Sequence, residues 1–161
     1  MNSTDIIKSG SVVLEGKPDF NLVGRDSELS HMINILSRRF AHNVLLTGQG
    51  GSGCSALCLG LQQAKSRTDI PFDILHKRLW WLDTDGLFSN PENTQELFDG
   101  MLRKVSNTAE KDTILIIEDA RNFIESATST GHGSFINQIM RHLEQNRFQL
   151  ILELRDTELD K

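Results

Sequence analysis

The segment Gly48-Gln49-Gly50-Gly51-Ser52-Gly53-Cys54-Ser55 follows the layout G-x-x-x-x-G-K-[ST] at every defined position but one. Loops of this layout cradle phosphate. Their glycines let backbone N–H groups converge on an anion, and a helix that opens directly after the loop adds its dipole. The hydroxyl at Ser55 is the side chain such a loop offers to magnesium. The missing element is the lysine, whose point charge falls on the β- and γ-phosphates, and Cys54 cannot replace it. A thiolate formed there would repel phosphate. The residues therefore imply an ATP or ADP site with magnesium that is weak or does not bind nucleotide at all. A plain glycine-rich turn is the competing reading, and the apolar strand before the loop and the helical pattern after it disfavour it.

A second constellation is Ile114-Leu115-Ile116-Ile117-Glu118-Asp119, an apolar run ending in two carboxylates. In phosphoryl-transfer sites one acid at such a place helps to hold magnesium and another residue orients the attacking water. That assigns Ser55 and Glu118 to the metal and Asp119 to the water. The usual order is Asp before Glu, so each carboxylate is displaced by a methylene, and a displacement of about 1 Å can cost roughly a hundredfold in rate. The fourth strand candidate ends in Glu153-Leu154-Arg155, which makes Arg155 a candidate substitute cation. Cys54 is also a candidate redox handle, although a small packed cysteine is the simpler account. His132, in Gly131-His132-Gly133, reads as a loop residue, since no partner at metal-ligand spacing stands near it.

The elements that must position these residues alternate. Short apolar runs at Val44–Thr47, Leu79–Leu82, Thr113–Ile117 and Phe148–Leu154 read as strands buried on both faces. Between and before them lie helical patterns. One is capped by Asp26 or Ser27, carries Leu29, Ile33, Leu36 and Phe40 on one face, and ends near His42. Others span Gly53–Lys65, Thr94–Val105 and Ser134–Arg147, the last with Phe135, Ile139, Met140 and Leu143 inward. Such alternation predicts an α/β fold with a parallel sheet and helices on both faces, and ligands beyond the carboxyl ends of the strands. Residues 1–19 show no pattern and read as an arm or linker before a core over 20–161.

Composition narrows the function classes. A net charge of -5 gives no overall attraction for nucleic acid or an anionic membrane face. No apolar run approaches the roughly 20 residues of a membrane span, and the first residues lack the apolar stretch of a signal peptide. The expected setting is cytoplasmic, without membrane insertion. Cys54 and Cys58 are too few for a disulfide framework or a zinc site.

With these residues in place, the chain resembles the first ATPase module of Clp-type AAA+ unfoldases. The resemblance rests on Gly16-Lys17-Pro18-Asp19, Leu22-Val23-Gly24-Arg25-Asp26-Ser27-Glu28, Ile35-Leu36-Ser37-Arg38-Arg39 and the approach to the loop at Asn43–Gly48. It implies a P-loop NTPase-like AAA+ large subdomain in which Val23 and Gly24 border the adenine. It also implies a first strand flanked by the fourth and the fifth. The chain reaches Lys161 after its fourth strand, so the fifth strand, arginine-finger region and helical lid are expected outside it, leaving Val44–Thr47 at an edge. Aligning a family Phe on Phe98 sets Asn93, Thr94 and Gln95 at the pore loop, where the family carries an aromatic residue.

Two functional readings follow. One is a degenerate, non-hydrolysing Clp-like scaffold or assembly component with protein partners or copies of itself. The other is a fragment of an active ATP-binding AAA+ ATPase that relies on the lid, or on an arginine such as Arg155 or one from a neighbouring subunit, for turnover.

Overall fold

The computed structural model of the chain describes residues 13–15, 21–66, 70–106 and 113–158. Five strands form one sheet: β1 (Val13–Glu15), β2 (Val44–Gly48), β3 (Arg78–Leu82), β4 (Thr113–Ile117) and β5 (Gln149–Arg155). Their spatial order is β1-β3-β4-β5-β2. The four predicted strands are all present and mutually parallel, with the first beside the fourth. The addition is β1, which lies in the stretch read as an arm and pairs antiparallel with β3. Among the described residues β2 has a neighbour on one side only.

Seven α-helices are described: α1 (Asp26–Leu36), α2 (Cys54–Ala64), α3 (Phe72–Leu75), α4 (Thr84–Phe88), α5 (Thr94–Val105), α6 (Ala120–Ser129) and α7 (Ser134–Glu144). They cover both faces of the sheet, as the period of two within each strand requires. Trp80, Leu82, Leu115 and Ile117 point into a core with α4, α5, α6 and α7, while Leu79, Trp81, Ile114 and Ile116 point into a second core with α1, α2 and α3. In the first core the rings of Phe98 and Phe135 stack with centroids 3.7 Å apart, both fully buried. Truncating either to Ala would cost roughly 3–5 kcal/mol.

Several boundaries differ from the expected ones. Helix α1 is capped by neither Asp26 nor Ser27; Arg25 holds the N-cap position without a side-chain cap. It also stops at Leu36, so Phe40 is 74% exposed instead of completing the buried face. The cause is a distant strand. Gln149 Nε2 donates to the carbonyls of Leu36 (2.8 Å) and His42 (2.9 Å), and Ala41 adopts a left-handed φ of 52° that an α-helix cannot include. Helix α7 ends at Glu144, short of Arg147, and Met140 is half-exposed rather than core. Helices α3, α4 and α6 are additions to the pattern expected from the sequence.

Candidate functional site

The loop between β2 and α2 holds the residues expected to meet phosphate, at the carboxyl edge of the sheet. Gly51 and Gly53 adopt φ of 82° and 86°, the left-handed region that costs an L-residue with a Cβ. Gly48 is needed for a different reason: a Cβ there would meet Ser52 Oγ at 2.2 Å. Gly50 is exposed, with open space around it. The chain turns by a bond from Ser52 N–H to the Gln49 carbonyl (2.9 Å), and α2 opens at Cys54. The loop is thus a glycine-rich turn directly ahead of a helix N-terminus, the position at which phosphate cradles occur.

The side chains fit a magnesium nucleotide less well. Cys54 is 7% exposed, and its Sγ lies 3.4 Å from Ser52 Oγ. It packs as a small apolar group and brings no cation to the loop. Ser55 Oγ donates to Glu153 Oε2 at 2.6 Å, across 98 residues of sequence. Sheet register explains the encounter, because Glu153 shares a strand face with buried Ile151, on the side that α2 covers. Arg155 is level with Gly48 at the start of the loop and is exposed.

The acid pair is divided. Glu118 follows β4 and is half-buried, whereas Asp119 is exposed and holds a left-handed φ of 54°. Asp119 is the N-cap of α6: its Oδ1 accepts the Asn122 N–H at 3.1 Å. Asn122 in turn donates from Nδ2 to Asp85 Oδ1 at 3.2 Å, so α6 and α4, the helices that follow β4 and β3, are joined by a polar contact. Short acids cap helices well because the carboxylate reaches the second or third N–H without strain. Among the described residues no group of three or more His, Cys, Asp or Glu side chains is arranged to hold a metal ion.

Arg25 belongs to the valine-glycine-arginine element expected beside the adenine, but its contact with the loop is not expected from the sequence. Its Nη1 donates to the Ser52 carbonyl at 2.6 Å, and its Nε pairs with Glu28 at 2.8 Å. A guanidinium therefore touches the loop from the amino end of α1. Val23 and Gly24 precede it. Val23 is 78% exposed, and Gly24 has a φ of 74° with open space where a Cβ would stand. A cavity of about 520 Å³ lies along the free side of β2, bordered by Arg25, Glu28, Leu45, Thr47 and Cys54 among others.

Two other expected features are positioned as follows. Thr94 is buried at the start of α5 and donates to the Asn90 carbonyl at 3.0 Å, in the segment aligned with the pore loop. His132 lies in the turn after α6, with its ring 4.9 Å from that of Phe135 and Nδ1 3.0 Å from Thr130 Oγ1. The segment Gly16–Asp19 and Lys161 lie outside the described residues.

Strand order, two helix layers and a glycine loop between the first parallel strand and its helix define a P-loop-type AAA+ core. The chain is 31% identical over 113 residues to the chaperone protein ClpB of Bacteroides thetaiotaomicron, covering 68% of the chain. It is 30% identical over 142 residues to ClpB of Enterococcus faecalis, covering 86% of the chain. These matches, with the fold, make the chain a Clp-type AAA+ domain. It spans 13% and 16% of the length of those two relatives. No protein-family model matches it. Among solved structures, the S. cerevisiae Hsp104–ADP complex superposes with a TM-score of 0.73 at 21% identity, over 92% of this chain and 22% of that one. The extended S. cerevisiae Hsp104–casein complex gives 0.70 at 22% identity, over 98% and 26%. No described helix is long and apolar enough to cross a membrane.

Proposed function

We propose that this Clp-type AAA+ domain works as a non-hydrolysing scaffold or assembly component with weak or no nucleotide binding, in contact with other proteins or with copies of itself. The observation that carries the reading is Cys54, a buried thiol at the loop position where phosphoryl-transfer sites of this kind use lysine. With no charge at that point, the β- and γ-phosphates lose their strongest side-chain contact, and any affinity rests on backbone N–H groups and the dipole of α2. Asp119 supports the same conclusion. Its carboxylate is engaged in capping α6, away from the work of orienting water. The ADP and casein complexes of Hsp104 make nucleotide and protein ligands reasonable classes to test.

Arg25 favours a second reading, an active ATPase fragment, because its guanidinium already reaches the loop. Phosphate release in the presence of ATP and magnesium separates the two. The scaffold reading expects no turnover above background. Magnesium-dependent turnover abolished by Glu118→Gln or Asp119→Asn would overturn it, and loss of that turnover in Arg25→Gln would identify the substitute cation.

A further inference from the structure

We infer that Glu153 is the resident anion of the phosphate loop, a specificity-determining carboxylate that holds polyphosphate out independently of Cys54. This deepens the proposed reading and rests on it. Three observations meet at one point. Ser55 is the second residue of α2, and its Oγ donates to Glu153 Oε2 at 2.6 Å, so the carboxylate stands at the amino-terminal turn of the helix that follows the loop. A helix N-terminus favours an anion there. In this chain the anion comes from β5.

The loop backbone meanwhile keeps the form of a cradle, with Gly51 and Gly53 left-handed and Gly48 closely approached by Ser52. An added phosphate therefore meets a site of suitable backbone shape and unsuitable charge. Glu153 is partly buried, which weakens solvent screening of its repulsion. The guanidinium of Arg25 is engaged elsewhere, on the Ser52 carbonyl and with Glu28. Like charges at a loop of this kind oppose each other by an amount that, at the effective dielectric of a protein surface, matches a change of at least about tenfold in affinity.

Gln at this position separates charge from contact. Its Oε1 can still accept the Ser55 hydrogen bond, so the strand-to-helix tie survives while the charge is removed. The experiment titrates inorganic pyrophosphate and ADP into the wild-type chain, Glu153→Gln and Glu153→Asp by calorimetry, first in EDTA and then with magnesium. Circular dichroism confirms that each variant is folded. In EDTA, Glu153→Gln should bind both ligands at least about tenfold more tightly than wild type, and Glu153→Asp, which keeps the charge, should stay weak. Unchanged or undetectable binding in Glu153→Gln overturns the inference, as does an equal gain in both variants. If Glu153→Gln instead loses affinity only when magnesium is present, Glu153 is a metal ligand and the inference is wrong. Turnover by the wild-type chain would refute the scaffold reading by a separate measurement and would leave these affinities to be judged alone.

Discussion

Ser55 Oγ and Glu153 Oε2, 2.6 Å apart, tie the first turn of α2 to the end of β5. The bond is charge-assisted and half-buried, a class that contributes more than a neutral surface bond. Ser55→Ala leaves the carboxylate without this donor, and the partial exposure of both residues limits the loss. Stability should fall by about 1 kcal/mol. Urea denaturation reads this as a lower midpoint with an unchanged slope. An unaltered midpoint would mean that water replaces the hydroxyl at no cost.

Asp119 combines a left-handed backbone with a helix cap, two roles that few residues fill together. Asn tolerates the same φ and caps almost as well, so Asp119→Asn should leave the melting temperature nearly unchanged. Asp119→Ala loses the cap and must carry a Cβ at positive φ, which together cost about 2 kcal/mol. Thermal melts of the two variants should therefore diverge. Equal melting temperatures would show that the cap is not a determinant of α6.

The free side of β2 has a measurable signature. In a parallel strand the backbone groups of successive residues face opposite neighbours, so alternate amides across Val44–Gly48 face β5 and the rest face outward. Hydrogen exchange on this chain should alternate along β2, with the outward amides far faster than any in Thr113–Ile117, which is paired on both sides. Uniform protection would require an additional strand on this edge, from residues outside those described, a second copy or another protein.

Much of the fold is legible in the sequence because strand interiors are simple. Thr113–Ile117, an apolar run of four after a β-branched Thr, has bounds that match β4 to the residue, and the position of the loop between β2 and α2 follows from the glycines. What is not legible depends on distant contacts. Phe40 continues the helical spacing of Leu29, Ile33 and Leu36, yet α1 stops at Leu36 because Gln149, 113 residues away on a strand, satisfies its terminal carbonyl. At the end of β5 the charge of Arg155 draws attention away from Glu153. Counting by twos from the buried Ile151 is the signal that directs it back to Glu153 beneath α2. Arg25 offers less signal, since nothing local predicts that a residue preceding α1 will contact Ser52. Residues Val13–Glu15 lie in a stretch read as an arm, and their apolar run is too short to mark a strand before its pairing with β3 is seen.

Substitution of Cys54 tests how much of the deficit lies in one side chain. Gly51 and Gly53 already hold the left-handed φ that a glycine-rich loop uses, so if the backbone from Gly48 to Gly53 cradles phosphate, Cys54→Lys adds a cation to it without rebuilding the loop. One charge-assisted contact is worth roughly 1.5–3 kcal/mol, which corresponds to a gain in ATP affinity on the order of tenfold to a hundredfold. Calorimetry with ATP and magnesium should detect that gain. Because Cys54 is buried and its Sγ lies against Ser52, the variant's fold is checked first by its urea midpoint. Hydrolysis should not accompany the gain, since Asp119 still caps α6 and Glu153 still holds Ser55. If the variant folds as wild type and its ATP affinity does not change, the missing lysine is not what limits binding. The loop would then serve as a structural turn in a Clp-shaped scaffold that takes no nucleotide.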